Sequence, residues 1–432
     1  MVKKILSFST FPECTVSINE SEQSFVRFAN NGVTTAGLTT GRTIRVSSTR
    51  ETKTGTAETS EIDEASLRAV VARSEQIAAI APPSAEHVPP LGEQQYPRLP
   101  AMDPETAAAR SPTMVPHVRA VIDAAVARKL IAAGFFERAT SASILANKQG
   151  LFGYHRSADA GMSTTIRNSD GTSSGWAGQP SARILEINGA ALAETAIQKC
   201  LRWKSPRKLE PGKYTVVLEP TAVNDLLGML GFSFSARNAE EGRSFLSKKG
   251  GGTQLGEKLF PESVSLFTDP FDQRNPGSPW DASGLPTARI PWIENGVVRN
   301  LFYDRYWASK TGKSPTPSPN SLHLRGGNSS IEDLIAATER GLIVTRFWYI
   351  RPVNMQTLQL TGLTRDGLFL IENGKITDPV MNLRFNESPV RMLQNVLQLG
   401  RVTHCRGGEG DGMLIPGLQA AGFTFSSISD AV

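Results

Sequence analysis

The chain has 432 residues, 39% hydrophobic and 20% charged, with 46 Lys and Arg against 41 Asp and Glu. That is an ordinary globular composition with room for two or three domains, and it excludes disordered and collagen-like classes. The net charge of +5 is spread along the chain, no run approaches the ~18 apolar residues of a membrane helix, and Ser7 and Glu13 interrupt the apolar start too early for a secretory leader. A cytoplasmic protein that binds neither membrane nor nucleic acid is therefore expected. The densest basic cluster, residues 202–208, reads as a solvated loop between a helix and a strand.

Taken in chain order, the first fifty residues alternate apolar and polar side chains in short runs. Breaks fall at Asn30-Asn31-Gly32 and Thr40-Gly41-Arg42, which predicts a small antiparallel sheet. Residues 62–80 carry Leu67, Val70, Val71 and Ile77 at helical spacing, stopped by Pro82-Pro83. After a Pro- and Gly-rich connection, a second helix is predicted over 118–133 with Gly134 as its C-terminal cap. Short strands return over 136–187, and a third helix spans 190–203. Pro211-Gly212 suits a type II turn ahead of a β-branched strand at 214–218.

The second half reads as β-rich. Asn295-Gly296 and Asn373-Gly374, each preceded by Ile-Glu, predict two tight hairpins and hence a curled sheet or barrel. Two inserted helices are predicted over 331–340 and 389–399. The fold class is therefore α+β: an N-terminal α+β domain, residues 1–190, followed by a β-rich domain, residues 191–432, with a curved antiparallel sheet or barrel.

Chemistry is sparse. Cys14, Cys200 and Cys405 are far apart and odd in number, which argues against a disulfide framework. The five histidines, His87, His117, His155, His323 and His404, never fall within one helical turn of each other, so no helix face presents two imidazoles. P-loop, Cys-x-x-Cys and His-Glu-x-x-His patterns are absent. Gly250-Gly251-Gly252 lacks the strand-to-helix context of a phosphate cradle. His404-Cys405 is the one adjacent pair with nucleophilic or ligand potential, but neighbours on a strand point to opposite faces.

Several ordered segments resemble the TldD/PmbA (TldD/TldE) family. They are Arg27-Phe28-Ala29-Asn30-Asn31-Gly32, the stretch from Glu210-Pro211-Gly212 to Glu219-Pro220, and Gly284 to Arg289 leading into Ile293-Glu294-Asn295-Gly296-Val297. Tyr303-Asp304, Gly341-Leu342-Ile343-Val344-Thr345 and Ile371-Glu372-Asn373-Gly374 continue the series. The resemblance implies a peptide-processing metalloprotease assembly whose members pair around a cavity. Its catalytic subunit holds zinc with a helical His-Glu-x-x-x-His motif and a later cysteine, leaving one position for water.

Carried across residue by residue, the metal helix resembles residues 223–232. The histidine positions fall on Leu227 and Phe232, the glutamate base position on Gly228, and the motif glycine on Gly231. Asp225 lies two residues out of register, and Cys405 is a third ligand without its partners. The resemblance thus implies the TldE/PmbA branch: a subunit with no metal and no cofactor of its own, forming a heterodimer with a zinc-bearing TldD-like chain and acting on unfolded or modified peptides. Two alternatives stand beside it. One is an autonomous hydrolase rebuilt around Cys405 and His404, with His155 or His323 recruited. The other is a peptide-binding homodimer without catalysis, using Phe347-Trp348 or Tyr306-Trp307.

Overall fold

Alternation of apolar and polar residues makes the first strands long and two-faced. The computed structural model of the chain describes residues 1–407 and 412–429, the side chain of Phe232 apart. In β1 (Glu13–Ala29), Cys14, Val16 and Ile18, and later Val26 and Phe28, are buried while alternate neighbours face outward. With β2 (Gly32–Arg50), β3 (Lys53–Thr59), β4 (Ile131–Asn147), β5 (Phe152–Arg167) and β6 (Ser174–Ser181) it forms a six-stranded sheet of order β3-β2-β1-β4-β5-β6. Every pairing in it is antiparallel.

Asn30 and Asn31, with φ of 49° and 60°, make the β1–β2 turn, and Gly32 opens β2. The expected break at Thr40-Gly41-Arg42 does not occur. Gly41 stays in register opposite Ser21, because the flanking threonines continue the ladder.

Helices cover the apolar face: α1 (Val2–Phe8), α2 (Glu64–Ile80), α3 (Pro104–Ala108), α4 (Ser111–Ala127) and α5 (Gly189–Arg202). The Asp63 carboxylate accepts from Ser66 N at the start of α2. The predicted helix over 118–133 ends early, at Ala127. Lys129, at φ 57°, turns the chain, and the alanine-rich segment after it becomes β4 because β1 and β5 both pair with it. Gly134 is consequently a strand glycine and not a cap. A Cβ there would come within 2.3 Å of Ser163 O and 2.4 Å of the Phe28 ring. α5 buries Leu192, Ala193, Ala196 and Ile197 in this first core.

The second half contains β7 (Gly212–Leu218), α6 (Pro220–Gly231), α7 (Ala236–Glu240), β8 (Leu266–Thr268), β9 (Ile290–Glu294), β10 (Val297–Val298), α8 (Arg305–Thr311) and β11 (Leu322–Leu324). These are followed by α9 (Ile331–Ala336), β12 (Arg340–Asn354), β13 (Gln359–Glu372), β14 (Lys375–Pro379), β15 (Leu383–Glu387), α10 (Pro389–Gln394), β16 (Val396–Cys405) and β17 (Met413–Ile428). The sheet closes on itself, since β17 pairs with β15, β15 with β13, β13 with β12, β12 with β7, and β7 again with β17. The expected barrel is therefore present, although β7–β12 and β11–β17 are parallel contacts.

Asn295-Gly296 (φ 51° and 80°) and Asn373-Gly374 (φ 50° and 73°) form the two predicted tight turns. Gly212 has no positive φ and simply opens β7, so the type II turn expected there does not form. The helices expected to reach 340 and 399 stop at Ala336 and Gln394, because the residues after them are drawn into β12 and β16.

Buried polar contacts join the two halves. Asp366, 1% exposed, accepts from Ser174 Oγ of β6 at 2.8 Å and from Arg346 Nε at 2.7 Å, and Lys199 of α5 meets Glu219 at 2.6 Å. No helix among the described residues is long and apolar enough to cross a membrane.

Candidate functional site

β7 delivers the chain through Glu219 to Pro220, whose fixed φ suits a first helical position. α6 is buried on nearly every side, with Ala222, Val223, Leu226, Leu227 and Leu230 fully covered inside the barrel core. Its remaining face borders a cavity of about 640 Å³. Asp225, Gly228, Met229 and Gly231 of α6 line it, opposite Phe302, Leu322, Ile350 and Met413, with Ser318, Asn320 and Ser321 on one wall and Arg406 and Gly407 on another.

The positions singled out on α6 have different surroundings. Leu227 is wholly inside the core. Gly228 faces open space: a Cβ there would meet nothing within 4 Å. Gly231 approaches Leu322, 3.0 Å from where its Cβ would be. The backbone of Phe232 begins a short 3-10 turn after α6, and its side chain lies outside the described structure. Asp225 accepts from Phe347 N at 2.9 Å, and Gly407 packs so closely on its carboxylate that a Cβ would come within 2.1 Å of Oδ1. Gly407 N also donates to Asn224 Oδ1 at 2.6 Å.

Cys405 ends β16 against the start of α6, where its Sγ donates to Pro220 O at 3.4 Å. Burial, reinforced by the Asp225 carboxylate, pushes this thiol far above the usual cysteine range. With no metal beside it the thiol form is thereby favoured, and a thiol is a poor nucleophile. His404 turns to the other face of the strand. It lies opposite Leu414 of β17, and Leu414 in turn is opposite His323 of β11. Burial first, then the nearby Arg406 and His323, push the His404 imidazole down to about 4, and its Nδ1 is buried without a hydrogen-bond partner. His323, 4% exposed, has its ring 5.2 Å from that of Phe267; burial lowers its pKa too, and its Nε2 is equally unpartnered.

The structure therefore brings His323 and His404 to one strip of sheet and turns Cys405 away from both. His155 sits elsewhere, on β5, its ring edge-on to Trp280 at 6.3 Å. Among the described residues no group of three His, Cys, Asp or Glu side chains is arranged to hold a metal ion. The donor set beside α6, one carboxylate already accepting from backbone and one thiol, falls short of the three protein ligands of a catalytic zinc site.

Sequence reasoning missed Arg406 and the wall formed by residues 318–322. Arg406 lies 3.6 Å from Glu137 and 3.7 Å from Asp159, so it links the cavity to the polar face of the first sheet. Neither carries a local pattern, because tertiary approach alone makes them a site. Of the aromatic pairs, Phe347 belongs to the core with Phe385 and Phe423, and Trp307 is buried with its Nε1 donating to Glu240 at 2.6 Å. Trp348 remains 37% exposed, with the Arg365 guanidinium over its ring.

A closed barrel holding a buried helix against a cavity, preceded by a long-stranded α+β sheet, defines a two-part α+β class of protein. The crystal structure of TldE from Thermococcus kodakarensis shares this fold, with a TM-score of 0.87 at 18% identity, covering 98% of each chain. The family model described as the PmbA/TldA metallopeptidase C-terminal domain matches residues 211–427. This chain belongs to the TldD/PmbA family of metallopeptidase-related proteins.

Metalloprotease PmbA of Escherichia coli O157:H7 is 25% identical over 225 residues, which cover 50% of this chain and 48% of that protein. An uncharacterized protein of Methanocaldococcus jannaschii, MJ0231, is 36% identical over 135 residues, 28% of this chain and 31% of the relative. In these matches the chain spans about half the length of the curated relatives or less.

Proposed function

We propose that this chain is the zinc-free, TldE-like subunit of a TldD/TldE-type metalloprotease assembly, which acts on unfolded or modified peptides in the cytoplasm. A TldD-like partner supplies the zinc, and this chain supplies the wall of a peptide chamber. One observation carries the reading: the helix that lines the 640 Å³ cavity presents Asp225, Gly228, Met229 and Gly231 to it, a face without an imidazole. Membership of a metallopeptidase family and a TldE-like fold over nearly the whole chain support it.

The test is co-expression with a TldD-like chain. A stable complex that cleaves unfolded peptides, with zinc bound to the partner alone, is the expected result. Failure to recover a complex when both chains are folded overturns the proposal. So does about one zinc per chain in the isolated protein that disappears in Cys405→Ser.

A further inference from the structure

Where β12 and β13 meet β6, the molecule gathers more positive charge than it balances. Arg346 of β12 and Arg365 of β13 are directly opposed in register, an arrangement in which like charges repel. Arg167, at the end of β5, lies opposite Ser174 of β6, and Ser174 Oγ reaches Asp366 at 2.8 Å. Three arginines thus gather beside one carboxylate.

That carboxylate is already occupied. Asp366 Oδ2 accepts from Arg346 Nε at 2.7 Å and from its Nη2, and Oδ1 takes the Ser174 hydroxyl. Arg365 reaches Oδ2 only as a 3.7 Å ion pair, and its Nε is buried without a hydrogen-bond partner. Arg167 has no ion pair among the described residues. Burial lowers the pKa of Arg365; Asp366 opposes this, and Arg346 and Arg167 push it further down. A water molecule could complete the bonds of Arg365 Nε, but it could not cancel the two positive charges left over.

The aromatic neighbours fix the geometry. The Arg365 guanidinium lies 5.0 Å over the Trp348 ring, and that of Arg346 lies 5.0 Å from Trp176 and 5.8 Å from Trp348. Cation–π contact holds the planar groups in place. The Arg365 side chain, 23% exposed, still reaches solvent.

We propose that Arg365 and Arg167 form a binding site for a phosphate-type dianion on the face where β6 meets β13. A tetrahedral oxyanion accepts from a guanidinium fork through two oxygens, and its two negative charges match the two that Asp366 leaves unbalanced. A single carboxylate would leave one cation uncompensated. The site is separate from the α6 cavity, which neither Arg167, Arg365 nor Trp348 lines, and it needs no partner chain.

The test is calorimetric titration of the whole chain at about pH 8, where phosphate is dianionic, with chloride holding the ionic strength constant. Inorganic phosphate and sulfate are expected to bind at one site per chain, and acetate about tenfold more weakly. Arg365→Gln and Arg167→Gln should each weaken phosphate binding about tenfold or more. Phosphate should raise the melting temperature of the unmodified chain and not of Arg365→Gln. Without phosphate, Arg365→Gln should melt no lower than the unmodified chain, because it removes an unbalanced charge. Phosphoserine binding as tightly as phosphate would identify an ester as the source of the dianion, and its exclusion while phosphate binds would identify the free ion. No heat beyond the chloride control, acetate as tight as sulfate, or phosphate binding unchanged in both variants overturns the proposal. A phosphate-free Arg365→Gln that melts several degrees lower would show that the arginine is structural, and overturns it as well.

Discussion

Acidification probes the buried strip of sheet through His404. Its imidazole is pushed from an ordinary 6.5 to about 4, chiefly by burial, with the positive Arg406 acting in the same direction. The folded protein therefore keeps His404 neutral where the unfolded chain would protonate it. Stability owed to this group is complete above pH 6.5 and is lost progressively as the pH falls toward 4. At about 1.36 kcal/mol per pKa unit, the drop between pH 7.5 and pH 4.5 amounts to about 2.5 kcal/mol.

Carboxylates also titrate over this range, so the measurement is a difference. Urea unfolding of the unmodified chain and of His404→Leu at both pH values isolates the histidine. The variant is expected to lose about 2.5 kcal/mol less on acidification. Equal losses in the two proteins, within about 0.5 kcal/mol, would refute the assignment of a buried neutral imidazole at this position.

Other expectations follow from single contacts. Asp366→Asn leaves the Arg346 cation, 11% exposed, without its carboxylate, and should cost about 3–5 kcal/mol in chemical denaturation. A loss under about 1 kcal/mol would remove the contact's role in joining the halves. Gly134→Ala forces a Cβ into Ser163 and Phe28 and should destabilise by at least about 1–3 kcal/mol. Gly228→Ala, on a helix beside open space, should instead stabilise by about 0.5–1 kcal/mol. A loss of stability there would mean that the cavity is filled at Gly228. Cys405, buried and held protonated, should resist iodoacetamide in the folded protein and react in urea. Rapid native alkylation would contradict the hydrogen bond to Pro220.

Much of the architecture was legible in local pattern. The two Asn-Gly steps, 295–296 and 373–374, demanded positive φ and became tight turns. The 3.6-residue spacing of Leu67, Val70 and Val71 became the buried face of α2. These features depend on a few adjacent residues, so the chain states them directly. The sparse histidines likewise ruled out a two-imidazole helix face before any fold was known.

What the tertiary structure decided lay where pairing overrode local preference. The Ala-rich segment after Lys129 continues a helical composition, yet two neighbouring strands claim it for β4. Residues 396–399 pass from an expected helix to β16 because β17 offers a partner. The cavity beside α6, the meeting of Arg406 with Glu137 and Asp159, and the opposite facing of His404 and Cys405 all join residues distant in the chain or set by strand register. Local sequence specifies turns and helix faces through short-range sterics and periodicity. Only closure of the barrel brings α6, β16 and the first sheet close enough to form a site, since that closure is set by long-range pairing.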